Sequence, residues 1–257
     1  MSNYNGKLIE LPKHGKAIVV TDLHGNLNDY KRYMGIWEKC RDDNTHFILT
    51  GDFIHAMGRK EDRSIEILES VKQNWEKFED FHPLLGNHEW STISRVSVFK
   101  GGINQSLTFD ELLKERFGEN WKMKLEEYQD FFKKLPIAVK TDNKVFISHA
   151  GPSQHLKSEN DIKNISDNDY SGNLVLYDML WNRNMECSRN YLDPFLRYLN
   201  CNVSIVGHTP VNGFELHGNQ LVVSSSFGFG KKAYVELNLE NDVNNGVDLL
   251  NMVKSLD

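Results

Sequence analysis

The residues of this chain that could do chemistry gather at five short turns, each of which follows an apolar, β-branched run. The first turn holds Asp22 and His24, and the second holds Asp52. Side chains two residues apart in extended backbone point to the same side, so Asp22 and His24 form a plausible pair of ligands for a divalent metal ion. Taken alone, each of these turns also fits a helix cap or a polar surface turn.

The other three turns repeat this arrangement. In the third, Asn87 can offer a carbonyl oxygen to a metal ion, and His88 can bind a metal ion or move a proton. The last two place His149 and His208 directly after apolar runs. A single histidine there is usually structural, but five strand ends that each deliver Asp, Asn or His are hard to explain by chance. Open α/β sheets bind ligands at the carboxyl ends of their strands.

Together the turns offer mixed oxygen and nitrogen donors. With His88 left over, the candidate ligands are Asp22, His24, Asp52, Asn87, His149 and His208. This set exceeds the three or four ligands of a single zinc site and suits two metal ions about 3.5–4 Å apart that share a carboxylate. Imidazole with carboxylate favours iron, manganese or zinc over calcium. We therefore predict two divalent or trivalent metal ions, with manganese as the expected occupant in vitro.

An alternation of strands and helices must position these turns. Apolar runs predict strands at 17–21, 46–50, 81–85, 144–148, 203–207, 221–224 and 233–239. Helical spacing predicts helices at 27–40, 62–77, 109–117, 124–135 and 191–199, the first of them capped by Asn26. The polar stretch 151–171 is expected to be a surface loop, and 241–257 a peripheral tail that could contain a short helix. The alternation predicts an α/β fold with helices covering the sheet.

Composition sets outer limits on fold and partners. The chain has 257 residues, of which 39% are hydrophobic and 26% charged, as in globular proteins. We expect one domain over 1–257, with its core at about 16–239. No apolar run is long enough for a membrane helix, no secretory signal is evident, and the three cysteines lack metal-knuckle spacing, so we expect a cytoplasmic protein without a membrane partner. The net charge of −6 argues against a nucleic-acid coat, and the oligomeric state stays unknown.

The motifs, in their order along the chain, resemble those of the calcineurin-like metallophosphoesterases. These motifs are Asp-X-His-Gly, Gly-Asp, Gly-Asn-His-Glu, His-Ala-Gly and Gly-His, and the likeness spans about 16–239. KERF at 114–117, LPIAVKTDNKVFISHAG at 135–151 and DMLW at 178–181 are similar to segments of the serine/threonine protein phosphatases in this family. The His-Thr-Pro ending at 208–210 and the Leu-Trp-Asn-Arg segment at 180–183 resemble the bacterial, archaeal and phage members more than the eukaryotic ones. The resemblance implies two mixed β-sheets packed as a sandwich and flanked by helices.

The resemblance also implies a role for each candidate ligand. Asp22 and His24 would hold the first metal ion, and Asp52 would bridge both. The second metal ion would be held by Asn87, His149 and His208.

Phosphate binding and proton transfer would fall to other side chains. The resemblance implies that Asn87 and Arg183 bind phosphate oxygens, the latter through a bidentate fork. A metal-bridged hydroxide would attack phosphorus, with Asp52 holding both ions. His88 would then act as general acid and protonate the leaving alkoxide.

Two positions after Asp52 depart from the family pattern, which continues Gly-Asp-X-X-Asp-Arg-Gly. His55 stands where the pattern has the Asp that orients the general acid, and Ala56 stands where it has a phosphate-binding Arg. One explanation is that His55 supports His88 in another way and that a nearby arginine, Arg59 or Arg63, reaches the site. The other is that phosphate binding is weakened and the substrate differs.

Several residues could border the substrate. Arg95 and Lys100 follow the third turn closely enough to touch it, although ordinary surface charge also explains them. Phe227 and Phe229 could line the site or simply pack within a turn.

The motifs and the resemblance leave three candidate functions. The first is hydrolysis of phosphomonoesters, most simply phosphoserine and phosphothreonine in proteins, with a phosphoprotein or small phosphoester as partner. The second is a nucleotide hydrolase resembling the diadenosine tetraphosphatases, which share the five motifs. A non-enzymatic phosphate-binding scaffold is disfavoured, because a fold that has lost activity should also have lost ligands.

Overall fold

Two β-sheets packed face to face form the framework of the protein. The computed structural model describes residues 3–183, 189–226 and 228–256. Its strands are β1 (Asn3–Asn5), β2 (Leu8–Leu11), β3 (Lys16–Val20), β4 (Thr45–Leu49), β5 (Phe81–Pro83), β6 (Phe99–Lys100), β7 (Ile103–Asn104), β8 (Ala138–Thr141), β9 (Val145–Ser148), β10 (Val203–Val206), β11 (Phe214–His217), β12 (Gln220–Val223), β13 (Ala233–Asn238) and β14 (Val253–Ser255).

Helices flank these sheets. They are α1 (Leu27–Glu38), α2 (Ser64–Lys77), α3 (Asn87–Ser94), α4 (Gln105–Phe117), α5 (Trp121–Lys134), α6 (Asn160–Lys163), α7 (Leu174–Trp181), α8 (Arg189–Tyr198) and α9 (Gly246–Leu250). The Asn26 side chain accepts a hydrogen bond from the backbone N–H of Asp29 at 3.2 Å, which confirms it as the cap of α1. In the described part of the chain, no helix is long and apolar enough to cross a membrane.

Both sheets are mixed. The larger has the strand order β1-β2-β8-β9-β10-β12-β11, and β9, β10 and β12 run parallel within it. The smaller has the order β14-β13-β3-β4-β5, with β3, β4 and β5 parallel and β13 antiparallel to β3. Strands β6 and β7 form a separate hairpin. The predicted α/β fold with two mixed, helix-flanked sheets is confirmed.

Alternation along β3 shows how one strand joins two cores. Ala17 and Val19 belong to a buried cluster that contains residues of both sheets, including Ile147. Ile18 and Val20 belong to a second buried cluster that contains helical side chains such as Trp37. Because β3 is covered on both faces, its sequence is a continuous apolar run rather than an alternating one. The sheets therefore form the middle of a layered structure, and their strand ends are fixed relative to each other.

Three expectations about local structure need correction. Stretch 151–171 is not only a surface loop, because it contains α6 and buries Leu156 and Ile162. Segment 241–257 contains the short helix considered for it, α9, but it is not a peripheral tail, because it places β14 beside β13 and fully buries Leu249. The third turn is the start of α3, not an isolated turn. That the chain is a single domain stays a prediction.

A chain of side-chain contacts joins the edges of the two sheets. The His82 Nδ1 atom of β5 lies 3.0 Å from the Tyr4 hydroxyl of β1, and the His82 Nε2 atom lies 3.0 Å from His46 Nδ1 of β4. Burial lowers the pKa of His82 to about 3 and the pKa of His46 to about 4. Both rings are therefore neutral in the folded protein at pH 5, where unfolded histidines are mostly protonated.

This contact chain predicts a pH dependence of stability. Because the folded-state pKa of His82 is depressed, its contribution is fully present above pH 6.5 and is lost as the pH falls toward about 3. As the pH falls from 7 to 5, we expect the loss of this contribution to lower the free energy of unfolding by about 2 kcal/mol. Chemical denaturation at both pH values gives the difference between the free energies of unfolding at pH 7 and pH 5. In His82→Phe this difference should be smaller than in wild type by about that amount. His14→Asn, at an exposed position, should keep the wild-type difference, and an unchanged slope in His82→Phe would contradict the prediction.

Candidate metal centre

The five chemical turns converge because they follow parallel strands. Asp22 and Asp52 follow β3 and β4, Asn87 opens α3 after β5, and His149 and His208 follow β9 and β10. The carboxyl ends of parallel strands lie at one edge of a sheet, and the sandwich brings the two edges together. A hydrogen bond joins the two edges directly, since the backbone N–H of His208 donates to both Asp22 carboxylate oxygens, at 3.0 and 2.9 Å.

The turns themselves are sharp and strained. Asp22, His24, Asp52 and His208 all have positive φ, at 30°, 46°, 56° and 63°. Non-glycine residues pay about 1 kcal/mol or more in this left-handed region, and such strain clusters at functional sites. The sharp reversal at each strand end turns these side chains into a common space instead of letting the strand continue.

Two glycines let the turns after β4 and β5 touch. Gly51 has a φ of 102°, and a Cβ built on it would lie 2.3 Å from the backbone nitrogen of Gly86. A Cβ on Gly86 would in turn lie 2.4 Å from the backbone nitrogen of Asp52. No side chain fits between these backbones, which is the physical reason for glycine before both Asp52 and Asn87.

One group of donor atoms lies on the His208 side of the cluster. The His149 Nε2 atom is 2.8 Å from Asn87 Oδ1 and 3.1 Å from His208 Nδ1. The Asn87 Oδ1 and His208 Nδ1 atoms are themselves 3.1 Å apart. The Asp52 Oδ2 atom lies 3.6 Å from His149 Nε2. Asp52, His149 and His208 each offer an atom within 4.8 Å of the others, so they can hold one metal ion.

A second group shares Asp52 and lies on the His24 side. The His24 Nε2 atom is 3.7 Å from Asp52 Oδ2, and the His88 Nε2 atom is 3.9 Å from it. His24, Asp52 and His88 form the second group of side chains that can hold a metal ion. Asp22 belongs to neither group, and both of its carboxylate oxygens accept from the His208 N–H. Asp52 is the residue common to both groups.

The donor chemistry of these side chains fits metal ions. His149 Nδ1 donates to the Thr50 carbonyl at 3.1 Å, and His24 Nδ1 donates to the Ile54 carbonyl at 3.3 Å. In neutral rings the Nε2 atoms therefore carry lone pairs, and that of His149 faces another electron-pair donor, Asn87 Oδ1, at 2.8 Å. A cation between such atoms relieves their repulsion, and backbone carbonyls behind metal-binding histidines are a recurrent means of fixing the tautomer.

Burial keeps the histidines of the cluster neutral. It lowers the pKa of His24 to about 4 and of His208 to about 3. It also places the pKa of His88 and His149 well below the usual range, and neighbouring histidines act in the same direction. Neutral imidazoles are the form that binds metal ions.

Burial has the opposite effect on the carboxyl groups. It raises the pKa of Asp22 to about 7, while the charge of Arg183 acts to lower it. It also raises the pKa of Asp52 well above its usual range, with Glu89 and Asp22 adding repulsion. Removing carboxylates from water is costly without nearby positive charge, which metal ions would supply.

Comparison with known proteins is consistent with this geometry. The family model of the calcineurin-like phosphoesterases matches residues 15–212. The chain belongs to this family. It is therefore a metal-dependent hydrolase of phosphoesters, and the resemblance noted from its motifs is confirmed.

Solved structures share the fold of this phosphoesterase. A protein serine/threonine phosphatase from Saccharomyces cerevisiae, with similarity to human phosphatase PP5, has a TM-score of 0.68 and 17% identity, over 98% of this chain and 84% of that chain. The cold-active protein-tyrosine phosphatase of a psychrophile, Shewanella sp., has a TM-score of 0.61 and 16% identity, over 96% of this chain and 82% of that chain. At these identities the likeness concerns the fold alone.

Sequence reasoning about the phosphoesterase missed Glu89, which is fully buried behind the cluster. Its carboxylate accepts hydrogen bonds from the backbone N–H groups of Asp52 and Phe53 at 2.8 Å, Gly86 at 3.1 Å and Ile54 at 3.3 Å. Burial raises the pKa of Glu89 to about 7, and these donors oppose the rise. Glu89 thus ties the turn after β4 to the start of α3. The signal was its place at the third position of that helix, where Glu commonly completes a capping box.

His55 meets the general-acid candidate directly. Its ring is fully buried, and its Nδ1 atom lies 2.7 Å from His88 Nδ1. Its Nε2 atom is buried and has no hydrogen-bond partner among the described residues, and its ring packs edge-on against Phe109. The structure therefore places His55, whose role the sequence left open, against the predicted general acid His88.

A cavity of about 660 Å³ opens over the cluster of the phosphoesterase. It is lined by Arg59 and Arg183 among the arginines considered above, and by Lys100 and Phe229. The exposed Arg63 instead pairs with Glu66 at 2.9 Å and does not line the cavity. Phe227 lies outside the described residues.

Arg59 and Arg95 differ in their contacts and in their distance from the cavity. The Arg59 guanidinium donates to the carbonyl of Ser226 and, at 3.3 Å, to its hydroxyl. Arg95 stands away from the cavity, with its Nη1 atom 3.8 Å from an Asp110 carboxylate oxygen. Of the two positions considered near the third turn, only Lys100 borders the cavity.

Proposed function

We propose that this phosphoesterase is a dinuclear-metal-dependent phosphomonoester hydrolase that acts on phosphoserine and phosphothreonine in proteins. The observation that carries the proposal is the pair of donor groups that share Asp52 beneath one open cavity. A shared carboxylate between two groups of imidazoles is suited to two metal ions. The segments at 114–117 and 135–151, which resemble serine/threonine phosphatases, favour a protein substrate over a nucleotide.

The proposed ligands divide between the two ions. Asp22 and His24 serve the first, Asp52 serves both, and the second is held by Asn87, His149 and His208. When bound, manganese, iron or zinc ions would generate hydroxide at neutral pH and offset charge at the phosphate. The protein's own task is to hold these donors in place through the Thr50 and Ile54 carbonyls and through Glu89.

In this proposal His88 donates a proton to the leaving alkoxide, which otherwise leaves poorly. One of the two Nδ1 atoms in the His55–His88 contact must carry the hydrogen. If His55 donates, its Nε2, which has no partner in the described part of the chain, carries a lone pair, and the proton of His88 sits on the His88 Nε2 atom, facing Asp52. If His88 donates, His55 is left with a buried, unpaired N–H, which is the rarer situation in proteins. The first arrangement is favoured and places the proton where the reaction needs it.

Arg183 and Asn87 orient the phosphate in this proposal. Arg183 lines the cavity and is exposed, so its planar fork is available to a phosphate, and Lys would not reproduce that geometry. Asn87 can turn its amide N–H toward the same group. Arg59, which also lines the cavity, has donors left beyond its contact with Ser226 and is a secondary candidate for phosphate contact.

A substrate panel tests the proposed function. Manganese-loaded protein should hydrolyse p-nitrophenyl phosphate and release phosphate from phosphoserine and phosphothreonine peptides, with a higher kcat/KM on peptides than on a dinucleoside tetraphosphate. Metal analysis of the same sample should give two ions per chain. Faster turnover of the dinucleotide would support the nucleotide-hydrolase alternative instead. Phosphate binding without turnover of any phosphoester would favour a scaffold.

A further inference from the structure

The rim of the cavity carries a concentration of positive charge. Four basic side chains line it, namely Arg59, Lys60, Lys100 and Arg183. Among the described residues, the only acidic side chains that line it are Asp22 and Asp52, both at its floor. The whole chain has six more acidic than basic residues, since 36 acidic and 30 basic side chains give −6. The cavity mouth is thus a basic patch on an acidic protein.

The four cations are not equivalent. The guanidinium of Arg59 is held by Ser226, and Arg183 has the place of a phosphate ligand in the proposed function. Lys60 and Lys100 are exposed, and neither forms an ion pair within the ranges 3–183, 189–226 and 228–256. Two cations at the mouth therefore remain uncommitted.

The backbone that carries these two lysines is anchored. Lys100 lies in the β6–β7 hairpin, whose chain continues into α4 after Asn104 caps that helix. Gln105, at the first position of α4, is buried and accepts a hydrogen bond from the backbone N–H of Met57 at 3.1 Å. Met57 belongs to the same loop as Lys60. A buried amide thus ties the two lysine-bearing segments together, while the lysine side chains extend into solvent.

We propose that Lys60 and Lys100 bind a second anionic group of the substrate, separate from the phosphate that is hydrolysed. That group is an acidic side chain beside the phosphorylated residue or a further phosphate. The inference rests on the proposed function and specifies its substrate class. Exposed lysines suit this task because they are mobile point charges that attract an anion without demanding one fixed geometry.

The size of the expected effect follows from the exposure of the lysines. Exposed charge pairs contribute about 0.2–1 kcal/mol each. Two lysines together should therefore raise kcat/KM for a suitably charged substrate by about 2- to 30-fold. Salt screens such contacts, with a Debye length of about 10 Å at 0.1 M, so the preference should shrink as ionic strength rises.

Matched phosphothreonine peptides test the inference on the manganese-loaded protein. One peptide carries acidic residues beside the phosphothreonine, the second carries glutamines, and ATP provides the arm with further phosphates. We expect kcat/KM to be about 2- to 30-fold higher for the acidic peptide than for the glutamine peptide at low salt. If Lys60 and Lys100 raise kcat/KM for ATP but not for the acidic peptide, the second anion is a phosphate rather than a carboxylate.

The variant that decides the matter is Lys60→Ala combined with Lys100→Ala. It should remove most of the preference between the charged and glutamine substrates while changing kcat/KM for p-nitrophenyl phosphate less than about twofold. Arg95→Ala, outside the cavity, removes one positive charge nearby and should keep the preference. The inference is overturned if wild type shows no preference for a second anion, or if the double variant keeps it.

Failure of the proposed function has a different signature. If metal-loaded wild type hydrolyses neither p-nitrophenyl phosphate nor any other substrate, the proposed function fails, and this inference fails with it. Turnover without a charge preference overturns only the role of Lys60 and Lys100.

Discussion

Replacing His88 by asparagine is expected to lower kcat on p-nitrophenyl phosphate by about 10²- to 10⁴-fold, the usual contribution of general acid catalysis. Asparagine can occupy the first turn of α3 and keep a polar group near Asp52, but it cannot give up a proton at neutral pH. The content of metal ions, measured by elemental analysis, should stay at the wild-type value, because His88 is outside the proposed ligand set.

The same experiment distinguishes the two chemical uses of His88. The His88 Nε2 atom is 3.9 Å from Asp52 Oδ2 and belongs to a group that could hold a metal ion. Loss of one metal ion in His88→Asn would therefore make it a ligand and contradict its role as proton donor. His155→Asn is the matched control, since His155 hydrogen-bonds Asp178 at 2.8 Å away from the cluster and should retain wild-type kcat.

Replacing Glu89 by glutamine is expected to lower the free energy of unfolding by about 2–4 kcal/mol, measured by chemical denaturation. The carboxylate accepts four backbone N–H groups. Glutamine offers one acceptor oxygen, and its amide group would face donors that need an acceptor. Because these N–H groups belong to the segments that carry Asp52 and Asn87, we also expect weaker metal binding.

The matched control for this variant is Glu159→Gln. Glu159 is partly exposed and pairs with two lysines, Lys163 at 2.8 Å and Lys140. Because its partners are charged side chains rather than the backbone of the site, Glu159→Gln should cost less stability than Glu89→Gln and keep the wild-type metal content. If Glu89→Gln and Glu159→Gln have equal stability and equal metal content, the organising role of Glu89 is wrong.

The sequence predicted the strands around the site well, for a physical reason. β3, β4, β9 and β10 are buried on both faces, so each is a short apolar run with a clear end, and the chemical residues follow that end. The predicted strands at 17–21 and 46–50 differ from β3 and β4 by one residue at each end. The site residues could therefore be recognised one turn at a time.

Other elements could not be predicted from the pattern of apolar and polar residues. β11 is largely exposed, so its sequence lacks an apolar run, and it exists through its pairing with β12. α3 begins with Asn87 and His88, whose polar side chains look like a turn until the helix is seen to bury them. Which cations surround the cavity could not be predicted either, because Lys100 reaches it through a hairpin and Arg63 turns away to Glu66.

The position of β13 has a consequence for the synthesis of the chain. β3 pairs with β4 on one side and with β13 on the other, yet β13 follows the whole set of site-bearing strands. As the polypeptide leaves the ribosome, β3 can find β4 early, but its other edge must wait until nearly the whole described chain has emerged. That waiting edge is an apolar strand with free backbone groups, the kind of surface on which nascent chains stick to one another. Until β13 pairs with it, this edge of β3 is open to association with the edge of another chain.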